Sequence, residues 1–117
     1  MASRQKRPLE AISGQYSAIP HQVLDSASFK DLGHPAKALL FELLRQHTGK
    51  NNGHLQLSIA WLINKRGWKS SAVIQKAKRE LIDHKLIILT RQGGLNMGAS
   101  QYGLTWLHIT NFVGLDI

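Results

Sequence analysis

Residues 58–109 constrain the fold more than any other part of this chain. An apolar-patterned helix, a short turn, a basic helix, a β-branched strand, a glycine-rich loop and a second strand follow one another there. Ser58 is a good cap for the first helix, from residue 59 to about 65, where Ile59, Leu62 and Ile63 give an inward face and Ala60 is small. Gly67 supplies the left-handed residue that ends it. Ser70 or Ser71 caps the next helix, which runs to about residue 84. Its Ile74, Ala77 and Leu81 recur at steps of three and four, so they form one buried stripe, and Ala77 leaves room for a close helix crossing. Residues 86–90 read as a strand, 92–100 as a loop and 102–109 as the returning strand.

Upstream, the signals are local. Residues 1–18 are polar and basic, broken by Pro8 and Gly14, and read as a mobile arm. Residues 19–24 are expected to be extended, because the residue before a proline avoids the helical region. Asp25 or Ser26 can cap a short turn through Leu32, with Phe29 and Leu32 as its apolar contacts. Pro35 suits the first position of a helix, where its missing N–H costs nothing. From there to about residue 47, Ala36, Leu39, Leu40, Leu43 and Leu44 share one face, with Phe41 on the flank. Residues 49–53 end that helix with turn chemistry. Residues 54–57 alternate and suit a short strand. The expected division is an arm (1–18), one folded domain (19–109) and a moderately apolar tail (110–117) that folds back or meets a second copy.

Composition narrows the partners. The 117 residues fit one domain, and the apolar fraction of 43% suffices for a core. The net charge is +8, from 15 Lys and Arg against 7 Asp and Glu. With a pI of 10.2, that balance points to a polyanion, nucleic acid first. The absence of cysteine excludes disulfides, thiolate zinc sites and a cysteine nucleophile. No apolar run reaches the ~18 residues of a membrane span. The basic N-terminus lacks the apolar stretch of a secretory signal, so a cytoplasmic, nucleoid-associated location is expected.

The order helix, short strand, helix, basic helix, two-stranded hairpin resembles the winged helix-turn-helix proteins of bacteria and their phages or plasmids. Glu80-Leu81-Ile82-Asp83-His84-Lys85-Leu86-Ile87 is similar to the "E-L-x-x-x-G-L-I" exit from the recognition helix in winged-helix regulators. Asn51-Asn52-Gly53, the Ser58 cap and Tyr102-Gly103-Leu104-Thr105-Trp106 also look like small helix-turn-helix proteins of this kind. The resemblance implies a mainly α fold with a small β-hairpin (α+β): a three-helix core plus a two- or three-stranded wing. Lys85 stands where such exits carry glycine. Either the turn needs a positive φ there, at a cost of roughly 1 kcal/mol or more, or the turn differs and His84 and Lys85 favour the negative end of the helix.

On that reading the helix of residues 71–84 enters the major groove of double-stranded DNA. Its outer face would carry Lys69, Ser71, Ala72, Gln75, Lys76 and Arg79. Gln75 suits adenine; Arg79 or Lys76 suits guanine or a phosphate; Ala72 and Val73 suit thymine methyls. Ser70 and Ser71 can donate to phosphate. Lys50, Lys65, Arg66, Lys69 and Lys78 would anchor the backbone without reading sequence. Arg91 on the hairpin suits a narrow minor groove. Arg4, Lys6 and Arg7 form either a minor-groove arm or a plain tail. The simpler alternative is that the helix merely presents a solvated surface. Trp68 is either a plug at the core edge or a platform for a sugar-phosphate. Leu95 and Met97 at the hairpin tip suit packing or a protein partner.

Enzyme signatures are missing. The six histidines, at 21, 34, 47, 54, 84 and 108, form no i, i+4 pair, and the acids do not cluster. No phosphate-binding loop, nucleophile elbow or dinucleotide fingerprint occurs. No cofactor and no metal are expected. The expected role is sequence-specific DNA binding by a homodimer, as a transcriptional regulator or a replication or partition factor of a mobile element. A protein-interaction adaptor or inhibitor on the same frame is the second reading, through the wing tip or the C-terminal tail. RNA binding is the third, with Tyr16, Trp61, Trp68 and Tyr102 as its stacking candidates.

Overall fold

A computed structural model describes residues 13–94, 98–109 and 111–117. Within them the chain is a mixed α+β fold of five helices followed by a two-stranded antiparallel hairpin: α1 (His21–Leu24), α2 (Ala27–Lys30), α3 (His34–Gln46), α4 (Ile59–Lys65), α5 (Ser71–Asp83), β1 (Ile87–Arg91) and β2 (Gln101–Leu104). Residues 19–24 are therefore not extended throughout. Pro20 itself is extended, but its carbonyl accepts the N–H groups of Val23 and Leu24 at 3.0 and 3.2 Å, opening α1. A residue at the helix cap has no use for its own N–H, so proline is tolerated there. Ser26 caps α2 by accepting the Phe29 N–H at 3.2 Å.

Helix α3 is the centre of the core. Ala36, Leu39, Leu40, Leu43 and Leu44 are buried, while Phe41 points outward. α5 packs across it, with Ile74, Ala77 and Leu81 buried. Each fully buried Leu or Ile contributes about 1.5–3 kcal/mol relative to exposure. The two helices are also joined head to side, because Glu80 Oε1 accepts the Gly33 N–H at 2.9 Å. One of the free donors at the start of α3 is thereby satisfied from α5. Ser58 and Ser70 cap α4 and α5 by accepting the N–H groups of Trp61 and Val73, each at 3.2 Å.

The exit from α5 takes the left-handed form. Lys85 has φ +60; its N–H donates to Ile82, and the N–H of Leu86 donates to Leu81, both at 3.0 Å. That bond pair, with Leu81 and Leu86 both buried beside it, is a Schellman closure around a non-glycine residue.

In the hairpin, Ile87 faces Leu104, Ile88 faces Gly103, Leu89 faces Tyr102, and Arg91 faces Gln101, leaving Thr90 as a bulge. Thr90 is buried, and its hydroxyl donates to the Gly53 carbonyl. The strand expected at 54–57 is a single bridge, with Leu55 exchanging backbone bonds with Tyr102. Beyond it, the Gln46 side-chain amide accepts the Gln56 N–H at 2.9 Å and donates to the Gln56 carbonyl at 2.7 Å, as a neighbouring strand would.

The returning strand stops at Leu104, not near 109, because Asn52 intervenes. This buried amide accepts the Leu104 N–H at 2.7 Å and donates to the carbonyls of Leu104 and Leu107 at 3.0 Å and of His108 at 3.3 Å. Those bonds hold the chain in a turn where a strand ladder would otherwise continue. Residues 111–117 fold back on the domain: the Asp116 N–H donates to the Thr90 carbonyl at 2.7 Å, and the Asp116 carboxylate accepts the Gln92 N–H at 3.3 Å. Within the expected arm, Ser17 is tied to the body by a bond from its hydroxyl to the Leu44 carbonyl at 3.1 Å. No helix among the described residues is long and apolar enough to cross a membrane.

Candidate nucleic-acid interface

The turn between α4 and α5 is fixed before α5 begins. Gly67 sits at φ +80, and the Trp68 N–H donates to the Leu62 carbonyl at 3.1 Å. From α3, the Glu42 carboxylate reaches both sides of this turn. One oxygen accepts from Arg66 Nε at 2.8 Å and the other from Trp68 Nε1 at 2.9 Å. The Arg66 guanidinium also lies 5.7 Å from the centre of the Trp61 ring. Trp68 is half-buried against the core, so it is the plug at the core edge. These bonds set the direction in which the capped first turn of α5 points.

With its apolar stripe against α3, α5 turns Ser71, Ala72, Lys76 and Arg79 outward, all exposed, together with Asp83. Gln75 and Lys78 are half-buried beside them. Lys65 and Lys69 are exposed on either side of the α4–α5 turn. Among the described residues, Lys65, Lys69, Lys76, Lys78 and Arg79 form no ion pair. The face therefore offers several uncompensated cations beside the free N–H groups of a helix start, an arrangement suited to phosphate oxygens.

Other expected contacts stand apart from that face or are already engaged. Arg66 has its Nε held by Glu42, so only its outer N–H groups remain for another anion. The Ser70 hydroxyl oxygen is committed as the α5 cap. Lys50 is exposed on the loop after α3, not on the α5 stripe. Arg91 is half-buried at the bulged end of β1 opposite Gln101. Arg4, Lys6 and Arg7 lie outside the described residues, as do Leu95 and Met97.

Two features of the site were missed in the sequence. Asp83 on the outer stripe could have been found by stepping four residues from Arg79. The Glu42 clamp had no local signal, since its partners lie more than twenty residues downstream.

The histidines that make side-chain bonds bind the protein's own chain. His54 bridges the Gln101 side chain and the Asn111 carbonyl, each at 2.9 Å, and His84 bonds the Glu80 carbonyl at 2.9 Å. Among the described residues, no three His, Cys, Asp or Glu side chains converge on a point where a metal would sit. No protein-family model matches the chain, and comparison with curated proteins and with solved structures gives no significant match.

Proposed function

We propose that this chain is a sequence-specific, double-stranded DNA-binding protein of winged helix-turn-helix design. α4 and α5 form the helix-turn-helix, α5 is the recognition helix, and the β1–β2 hairpin is the wing. The reading rests above all on the outward stripe of α5, where cations stand unpaired beside a capped helix start while the opposite stripe is sealed against α3. A helix held in this way keeps its polar face available to a groove without loosening the core. Gln75, Lys76 and Arg79 would read base edges. Lys65, Lys69 and Lys78 would hold phosphates, and Ser71 would donate to one. One such helix spans few base pairs, so a homodimer on paired half-sites about one helical turn apart would supply the specificity. The role is transcriptional regulation, or replication or partition of a mobile element, without bond chemistry.

The test is a binding titration of the full chain against random and selected duplexes over a range of salt. Neutralising about six phosphates gives a slope of about −5 in log K against log salt. A flat response would sink the reading.

The second reading is a protein-interaction adaptor or inhibitor on the same frame. The exposure of Phe112, Val113 and Ile117 on the folded-back tail favours it. Capture of a protein partner, lost on changing Phe112 and Val113 to Ser, together with no retention on duplex DNA at low salt, would decide for it.

A further inference from the structure

We infer that Asp83 is a base-reading residue of the α5 face that selects cytosine in the major groove; the inference rests on the DNA-binding reading above. Ala72, Lys76, Arg79 and Asp83 are spaced four, three and four residues apart, so they lie in one line along the outward side of the helix. All four are exposed. The rise from Ala72 to Asp83 is roughly 16 Å, close to five base-pair steps of about 3.4 Å. A helix laid along the groove floor therefore brings the Asp83 carboxylate to the same row of base edges as Arg79.

Among the described residues Asp83 makes no side-chain hydrogen bond and no ion pair, even with Arg79 one turn away. It is the last residue of α5, at the negative end of the helix dipole, just ahead of His84 and Lys85. An acid there opposes the helix and repels phosphates.

An exposed carboxylate in a groove can accept a hydrogen bond. Two donors face the major groove, the N4 amino group of cytosine and the N6 amino group of adenine. Adenine sets its N7 acceptor beside N6, which a carboxylate meets with repulsion, while cytosine offers N4 with no acceptor of its own beside it.

The experiment is selection of bound fragments from random duplex DNA by the full-length chain and by its Asp83→Asn and Asp83→Ala variants. The wild type should enrich cytosine at one fixed offset from the other preferred bases, by roughly tenfold over the alternatives. Asp83→Asn should move that preference to adenine, whose N6 and N7 match an amide. Asp83→Ala should erase it and leave the other positions unchanged. Both variants should bind non-cognate duplex more tightly than the wild type. Thermal midpoints no lower than the wild type's would show that both variants are folded. Identical preferences in all three proteins would overturn the inference and leave DNA binding intact, as would a wild type that binds duplexes without base preference. A wild type that retains no duplex at low salt would remove the inference and its parent reading together.

Discussion

At Lys85 the backbone asks for a residue the chain does not provide. The Schellman closure of α5 needs a left-handed conformation, and an L side chain there costs about 1–2 kcal/mol. Lys85→Gly is expected to stabilise the fold by about 1 kcal/mol, somewhat offset by the greater freedom of unfolded glycine, as read from the midpoint of urea unfolding. A fall in stability would mean that the Lys85 side chain contributes more than its backbone loses. Asn52 is the opposite case, a polar residue that the fold cannot spare. Its amide serves both the N–H and the carbonyl of Leu104 from inside the core. Asn52→Ala leaves buried backbone groups without partners, at about 1–3 kcal/mol each. A loss of about 3 kcal/mol in the same measurement is expected.

The elements were legible from sequence wherever their signals were local. α3, α4 and α5 follow from apolar spacing; Ser58 and Gly67 bound α4, and of the two candidate caps for α5, Ser70 and Ser71, the structure uses Ser70, each acting over only a few residues. The departures have distant causes. β2 ends early because Asn52, some fifty residues upstream, takes over the Leu104 backbone. The strand expected at 54–57 shrinks to one bridge because a glutamine side chain, not a backbone, faces Gln56. At the site, the cationic stripe could be read from spacing, whereas the Glu42 clamp could not. That clamp carries a prediction about α4 and α5 as a pair. Glu42→Ala leaves Arg66 Nε and Trp68 Nε1 without their shared acceptor. It should lower stability by about 1–2 kcal/mol. It should also weaken duplex binding several-fold without changing base preference, because the helix is misdirected while its reading residues stay the same. Unaltered affinity would show that the turn holds its direction without the carboxylate.

For the molecule as a whole, the net charge of +8 favours attraction to polyanions, and on the proposed reading the α5 face would choose among them. Lys65 lies beside that face and pairs with no acid among the described residues. Lys65→Ala should weaken binding to all duplexes alike and reduce the steepness of the salt dependence by about one phosphate, measured by anisotropy titration at several salt concentrations. A change in sequence preference would instead make Lys65 a reader of bases. The small sheet has a further consequence at this scale. On one margin, the backbone of Gln56 is occupied by the Gln46 amide; on the other, the Thr90 carbonyl and the Gln92 N–H are occupied by Asp116. An exposed strand margin is a template on which stray chains assemble. Here Gln56 on one margin and residues 90–92 on the other already bond within the protein, so those stretches are closed to pairing with a second chain.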